Sequence, residues 1–366
     1  MKAVCSLLIF SLIFSSAGFS ADDKQKLAQV VSKLAMREID EGRGVGITVA
    51  VARWDELIHH KAYGLVDIEN EVPASEKSVF RIGSISKMFT AAAILLLMED
   101  GKLTLDDPLS KFLPNYPSGD KITLRHLLNH TSGIVSFTDL PEHRSGMRRD
   151  LEHEEVLALF KDKEPHFQPG EKFRYCNSGY YLLGMIIEIV SEKKYEEFLQ
   201  ERIFDPLNLE TIVYDHHGKI IPHRARGYTI WGKRKLNAPY VSMKQPFAAG
   251  ALASTAKDLV LWQRGLVSGA LLKPESYQAM ITPGVLNNGK KTKYGLGCFV
   301  DKVDGHSVIR HGGGIQGFIT DHAYFPESDL TVVVLTNTNR VVPRSIVNKI
   351  ALSVFANETG NKSSSE

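Results

Sequence analysis

Two rhythms of apolar and polar positions run along this 366-residue chain, and their order predicts its architecture. Near the start, Leu27, Val30, Val31, Leu34 and Ala35 recur at helical spacing, and Gly42 to Gly44 close that helix. Residues 46–51 and 57–63 then alternate with a period of two, as paired strands joined by a turn at Trp54-Asp55. From Ser84 to about residue 285 helical spacing dominates, interrupted by loops at Pro114-Asn115-Tyr116-Pro117, Pro169-Gly170 and Pro222. Strand rhythm returns at 294–300, 307–310, 319–325 and 330–336, and an amphipathic helix follows over about 342–355. Strands at both ends enclosing a helical middle predict an α+β fold. One antiparallel sheet is built from both chain ends and flanked by helices, and an all-helical lobe (about 84–289) is inserted between its halves (about 21–83 and 290–358). A functional site in such a fold belongs in the cleft between the lobes. No internal repeat is visible.

The first 20 residues break this pattern. Lys2 precedes an apolar run over residues 3–14, and Ser15, Ser16, Ala17 and Gly18 follow, which reads as a secretory signal cut near Ser20 or Ala21. The run is shorter than the ~20 residues a membrane-spanning helix needs, so export, periplasmic or secreted, is expected and a stable membrane anchor is not. The remaining residues make one domain over 21–358, with a polar, disordered tail over 359–366. The 44 basic and 42 acidic residues nearly cancel and are interspersed, which argues against a nucleic-acid partner.

Candidate chemistry centres on Ser84-Ile85-Ser86-Lys87, placed where an apolar, glycine-bounded stretch gives way to a helix. Three residues are nearly one helical turn, so Ser84 and Lys87 share a face. A serine hydroxyl is a weak nucleophile until a neighbouring base takes its proton, and a lysine in a desolvated pocket can be that base. Two further segments enter turns or strand ends: Tyr175-Cys176-Asn177 after Gln168-Pro169-Gly170, and His311-Gly312-Gly313-Gly314 after a short strand pattern.

Taken in chain order, these three segments resemble the serine β-lactamase and penicillin-binding-protein superfamily. The similarity is to its class C branch, which holds D-Ala-D-Ala carboxypeptidases, D-aminopeptidases and β-lactamase-like esterases. The resemblance runs from about Gly44 to Phe355 and includes Leu127 to Gly133 (LLNHTSG), Ile203 to Leu207 (IFDPL), Ala249-Gly250 with Ser254 to Asp258, and Tyr294 to Gly297. It implies Ser84 as acylated nucleophile, with Lys87 and Tyr175 sharing the proton work and the base left open between them. Asn177 is expected to bond Lys87 and a substrate amide. The oxyanion is expected at the backbone N–H groups of Ser84 and Gly314, with His311 and Gly313 beside the substrate. His311 stands where β-lactamases carry lysine. A neutral imidazole cannot hold a substrate carboxylate as a lysine does, so efficient β-lactamase activity is not expected.

Competing motifs fail on context. Gly312 to Gly317 matches Gly-x-Gly-x-x-Gly, but another strand pattern follows it instead of the helix that phosphate binding requires. There is no His-Glu-x-x-His, and no metal or organic cofactor is implied, because nucleophile, base and oxyanion donors are all in the chain. There is no Gly-x-Ser-x-Gly elbow. Cys176 and Cys298 either pair or remain buried thiols. The expected partner is a small-molecule or peptide substrate, with peptidoglycan fragments among the candidates. A second reading, from a different class, is a non-catalytic binder of peptidoglycan or of a partner protein on the same fold.

Overall fold

A computed structural model describes the backbone of residues 19–363 and the side chains of residues 19–356. The expected signal segment lies outside the described residues except for its last two positions. Ser20 caps the first helix, Ala21–Asp40, by accepting from the Asp23 N–H at 3.1 Å.

The sheet has seven antiparallel strands drawn from both ends of the chain. Their order is Val72–Pro73, Glu56–Asp67, Gly46–Arg53, Leu330–Thr336, Phe318–Phe325, His306–Ile315 and Phe299–Val303. The join between the two halves is the pairing of Gly46–Arg53 with Leu330–Thr336, for example Val49 opposite Val334. Both strands are mostly apolar and nearly wholly buried because both faces of the sheet are covered. Val49, Val51, Val332 and Val334 pack on Leu27, Val31 and Ala35 of the first helix and on Val347, Ile350 and Val354 of the last, Pro343–Ser363. Ala50, Val333 and Leu335 face the other way, into the larger core of the inserted lobe.

A helix that is apolar on every side runs through that lobe. Residues 86–97 of Ser86–Glu99 are all buried, and Phe89 stacks on Trp262 with ring centroids 3.9 Å apart. Its N-terminus reaches the cleft between lobe and sheet, and this is what positions the site.

Three local differences from the sequence expectation have physical causes. The inserted lobe adds to its helices a small sheet of Phe80–Arg81, Leu252–Ser254 and Val213–Tyr214, and a hairpin of Tyr228–Trp231 with Arg234–Asn237. Two- and three-residue strands are too short to show a period, and all four residues of Arg234–Asn237 are exposed. The strand expected over 294–300 begins only at Phe299. Gly297 has φ +81° and lies so close to the central helix that a Cβ there would sit 2.7 Å from the Lys87 carbonyl oxygen, so the segment bends around that helix. The tail expected to be disordered is helical through Ser363, because each residue added to an existing helix gains a backbone bond whatever its polarity. Residues 364–366 lie outside the described residues.

Candidate active site

The strand Phe80–Arg81 enters the site through Ile82 and Gly83, and one turn of 3-10 helix carries Ser84 before the central helix begins. Gly83 has φ +51°, and a Cβ on it would lie 2.9 Å from the backbone nitrogen of Gly314, so only glycine fits. Ser86 locks this entry. Its hydroxyl donates to the Gly83 carbonyl at 2.7 Å and accepts from the Leu252 N–H at 3.1 Å.

Lys87 lies one turn further in and is fully buried. Its Nζ donates to Ser84 Oγ at 3.1 Å and to the Ala249 carbonyl at 2.7 Å. The ring faces of Tyr175 and Tyr180 close over it at 4.9 and 5.4 Å. None of these neighbours is a carboxylate, and burial lowers the amine's pKa well below the usual lysine range, which favours its free base. A neutral amine has two N–H groups and one lone pair. With one N–H on Ala249, the lone pair is available to the Ser84 hydroxyl proton at the same separation.

Tyr175 is held by the turn entering the helix Asn177–Ser191. His130 Nδ1 accepts from the Cys176 N–H at 3.1 Å, and its ring lies 4.2 Å from that of Tyr175. His130 itself sits at φ +60° in the loop after Leu124–Leu128 and is pushed far below the usual histidine range, chiefly by burial. Tyr175 Oη is enclosed and completes no hydrogen bond among the described residues. Burial pushes this phenol well above the usual tyrosine range. Ser84 is close enough to oppose the shift but not to reverse it.

Asn177 lines the cleft, but its side chain donates to Thr138 Oγ1 at 2.9 Å, and its N–H to Ser136 Oγ at 3.0 Å. The expected bond to Lys87 is therefore not formed: the Ala249 carbonyl occupies that role, brought in from the short turn Phe247–Ala249.

The glycine run is the open edge of the strand His306–Ile315. Its partner Phe299–Val303 stops opposite Arg310, so residues beyond Arg310 have no strand on that side. Bonded and non-bonded pairs alternate along an antiparallel ladder. Ile315 and Phe318 close the two-residue turn as a bonded pair, and Gly313 with Thr320 is the next. Gly312 and Gly314 thus turn their N–H and C=O groups away from the neighbouring strand, and Gly314 lies against Gly83, next to Ser84. A Cβ on Gly314 would meet nothing within 4 Å, whereas one on Gly313 would lie 1.8 Å from the Ile82 carbonyl oxygen. Gly314 therefore belongs to the cleft. Gly313, expected beside the substrate, is instead where the strand packs against the chain leading to Ser84.

His311 is corrected in the same way. It is buried behind the edge, with Nε2 3.0 Å from Tyr294 Oη and Nδ1 2.6 Å from the Gly312 carbonyl, which it donates to. Burial lowers its pKa to about 3. It is a neutral strut, not a group that reaches substrate. Cys176 and Cys298 are both free and buried, and the Gly-x-Gly-x-x-Gly match is a strand and its turn.

Above Ser84 lies a cleft of about 630 Å³. Phe137, Met147, Val241, Ile315 and Phe318 supply apolar walls, and Arg144 is the cation on its lining. Sequence reasoning missed Ala249, His130 and Tyr294. All three lie in phrases singled out for resemblance, but none of those phrases said what its residue does. Ala249 acts through its backbone, which no side-chain pattern reports.

The chain matches the family model described as Beta-lactamase over residues 28–354. It is 30% identical over 320 residues to the putative penicillin-binding protein PbpX of Bacillus subtilis (strain 168), covering 86% of this chain and 74% of that one. Among solved structures, the octameric penicillin-binding protein homologue from Pyrococcus abyssi superposes with TM-score 0.79 at 28% identity, over 90% of this chain and 77% of the other. A D-stereospecific amidohydrolase from Streptomyces sp. does so with TM-score 0.74 at 26% identity, over 87% and 96%.

Proposed function

The chain belongs to the beta-lactamase family, a family of serine hydrolases, and from that premise we propose that it is an exported hydrolase that cleaves amide or ester bonds through an acyl-enzyme on Ser84. The observation that carries this reading is the fully buried amine of Lys87 3.1 Å from Ser84 Oγ, its pKa lowered by burial. Lys87 takes the hydroxyl proton as Ser84 Oγ bonds to the substrate carbonyl carbon. The oxyanion that forms is met by the N–H groups of Ser84 and Gly314, two donors of the kind worth several kcal/mol in such a step. The leaving group departs with the proton returned by Lys87. Water then attacks the acyl carbon, and its proton follows the same route back to Ser84. Tyr175, a neutral phenol at rest, closes the pocket over the amine. Export rests on the apolar segment at residues 3–14.

At the strand edge the site favours esters and amides over substrates whose carboxylate would be held there, leaving Arg144 as the cation on the lining. The histidine in the family's lysine position is buried and uncharged, and the cleft is largely apolar. The likeness to a D-stereospecific amidohydrolase points the same way.

The test is intact-protein mass after a fluorescent penicillin, together with turnover of p-nitrophenyl acetate, for wild type and Ser84→Ala. Ester turnover falls at least about a thousandfold in Ser84→Ala. A stable adduct with penicillin on wild type alone would mark a penicillin-binding peptidase. No adduct and no turnover with either probe would leave the non-catalytic binder.

The pH dependence follows from the sign of one shift. Lys87 works as the free amine and its pKa is lowered, so kcat/KM falls tenfold per unit on the acid side of a limb that lies well below the usual lysine range. Tyr175 is shifted upward, so it adds no alkaline limb below about pH 10. A rate that climbed steadily from pH 6 to 9 would mean that Lys87 rests charged.

A further inference from the structure

Thr90 lies one turn beyond Lys87 on the central helix and is fully buried. Its Oγ1 has three oxygens within reach: Tyr195 Oη at 2.7 Å, the Ala248 carbonyl at 2.7 Å and the Ser86 carbonyl at 3.2 Å. Threonine has one hydroxyl hydrogen and carbonyls only accept. The shorter carbonyl contact takes that hydrogen, so Tyr195 must donate to Thr90. The chain of bonds has one direction, from Tyr195 Oη–H to Thr90 Oγ1–H to the Ala248 carbonyl. The next carbonyl along the backbone is that of Ala249, which holds Lys87 Nζ at 2.7 Å.

The turn that carries these two carbonyls needs such a tie. Phe247, its first residue, sits at φ +41°, a strained conformation for a side chain of that size. Its ring is pinned by those of Tyr181 and Tyr195, each 5.1 Å away. Tyr195 is itself fixed by its N–H, which donates to Glu188 Oε1 at 2.9 Å.

We propose that Thr90 and Tyr195 are positioning residues for the proton transfer: by holding the Ala248 carbonyl they set the adjacent Ala249 carbonyl, which aims the Lys87 lone pair at Ser84. The proposal rests on the reading of Lys87 as the base for Ser84. Without the Thr90 hydroxyl, the Phe247–Ala249 turn relaxes and the amine loses its fixed acceptor. Two effects follow. The amine is no longer aimed, which lowers kcat and leaves substrate binding alone. A carbonyl acceptor also favours the ammonium form, so its loss moves the acid limb to lower pH. The titratable groups facing Lys87 are Tyr175, Tyr180, His130, His311 and Cys176, all shifted by burial toward their uncharged forms. The limb therefore reports Lys87.

The experiment compares Thr90→Val, which keeps the shape and removes the hydroxyl, with Thr90→Ser and Tyr195→Phe. p-Nitrophenyl acetate kinetics are measured across pH, alongside an NMR titration of Lys87 labelled with 13C at Cε. Thr90→Val lowers kcat by about 10- to 100-fold with KM changed less than about twofold, and shifts the Lys87 titration to lower pH. Thr90→Ser stays within about threefold of wild type, and Tyr195→Phe falls between. Wild-type kcat and an unmoved Lys87 titration in Thr90→Val would overturn the proposal, as would equal losses in Thr90→Ser. If wild type neither turns over the ester nor takes a penicillin adduct, the hydrolase reading fails. The Lys87 titration still decides the positioning role.

Discussion

Lys87→Met removes ester turnover by about a thousandfold or more while the protein stays folded, within the range seen when a general base is deleted. Methionine fills nearly the same channel, so no large cavity opens under Tyr175 and Tyr180. What is lost is the group that accepts the Ser84 proton. What is left over is the Ala249 carbonyl without its donor, a penalty of about 1–3 kcal/mol for an unpaired buried acceptor. Part of that is offset, because the wild-type amine is itself a polar group held in a dry site. The stability change therefore stays within about 2 kcal/mol. Paired measurements of kcat/KM and the thermal midpoint separate the two effects. A loss below tenfold with an unchanged midpoint would transfer the base role to Tyr175 or to water. The Tyr175→Phe variant then tells these apart, since its phenol rests protonated and its removal alone should leave the acid limb in place.

Gly313→Ala has the largest expected effect on the fold. The added Cβ would stand 1.8 Å from the Ile82 carbonyl oxygen and 2.4 Å from Thr320 Oγ1, and one of those is backbone. Ile82 lies two residues before Ser84, and Thr320 Oγ1 donates to that same carbonyl at 3.1 Å. The strand edge cannot keep its distance from the nucleophile, so the Gly314 N–H leaves its place beside Ser84 as the packing opens. A loss of about 3 kcal/mol or more is expected, the upper range for overpacking a buried contact. Gly314→Ala is the control. Its Cβ would meet nothing within 4 Å, so stability changes by less than about 1 kcal/mol, and any cost appears in catalysis alone. Thermal denaturation of the two variants decides the matter. Equal midpoints would mean that Gly313 is not the packing point.

Much of this was legible along the chain because it depends on local periods. Ser84 and Lys87 share a face because three residues are nearly a helical turn, and Leu330–Thr336 reads as a buried strand because residues 332–335 are an unbroken apolar run. The union of both chain ends in one sheet follows from the order of those patterns. The short pairings inside the inserted lobe and the helical end through Ser363 escaped, since two-residue strands and solvated helix turns leave no period.

The site divides along the same line. The chain by itself determined which reactive groups are present, in what order, and that Ser84 and Lys87 meet. Tertiary structure alone decided their charge and contacts. The pKa of Lys87 is lowered because Tyr175 and Tyr180, about ninety residues away in the chain, close over it and bury it. Asn177 turns to Thr138 and leaves Lys87 to a backbone carbonyl of Ala249. His311 and Gly313 face inward while Gly314 faces the cleft, a matter of strand register. Desolvation and register are set by what packs across the fold, and a backbone carbonyl has the same identity in every residue. Those are quantities that residue type and spacing do not encode.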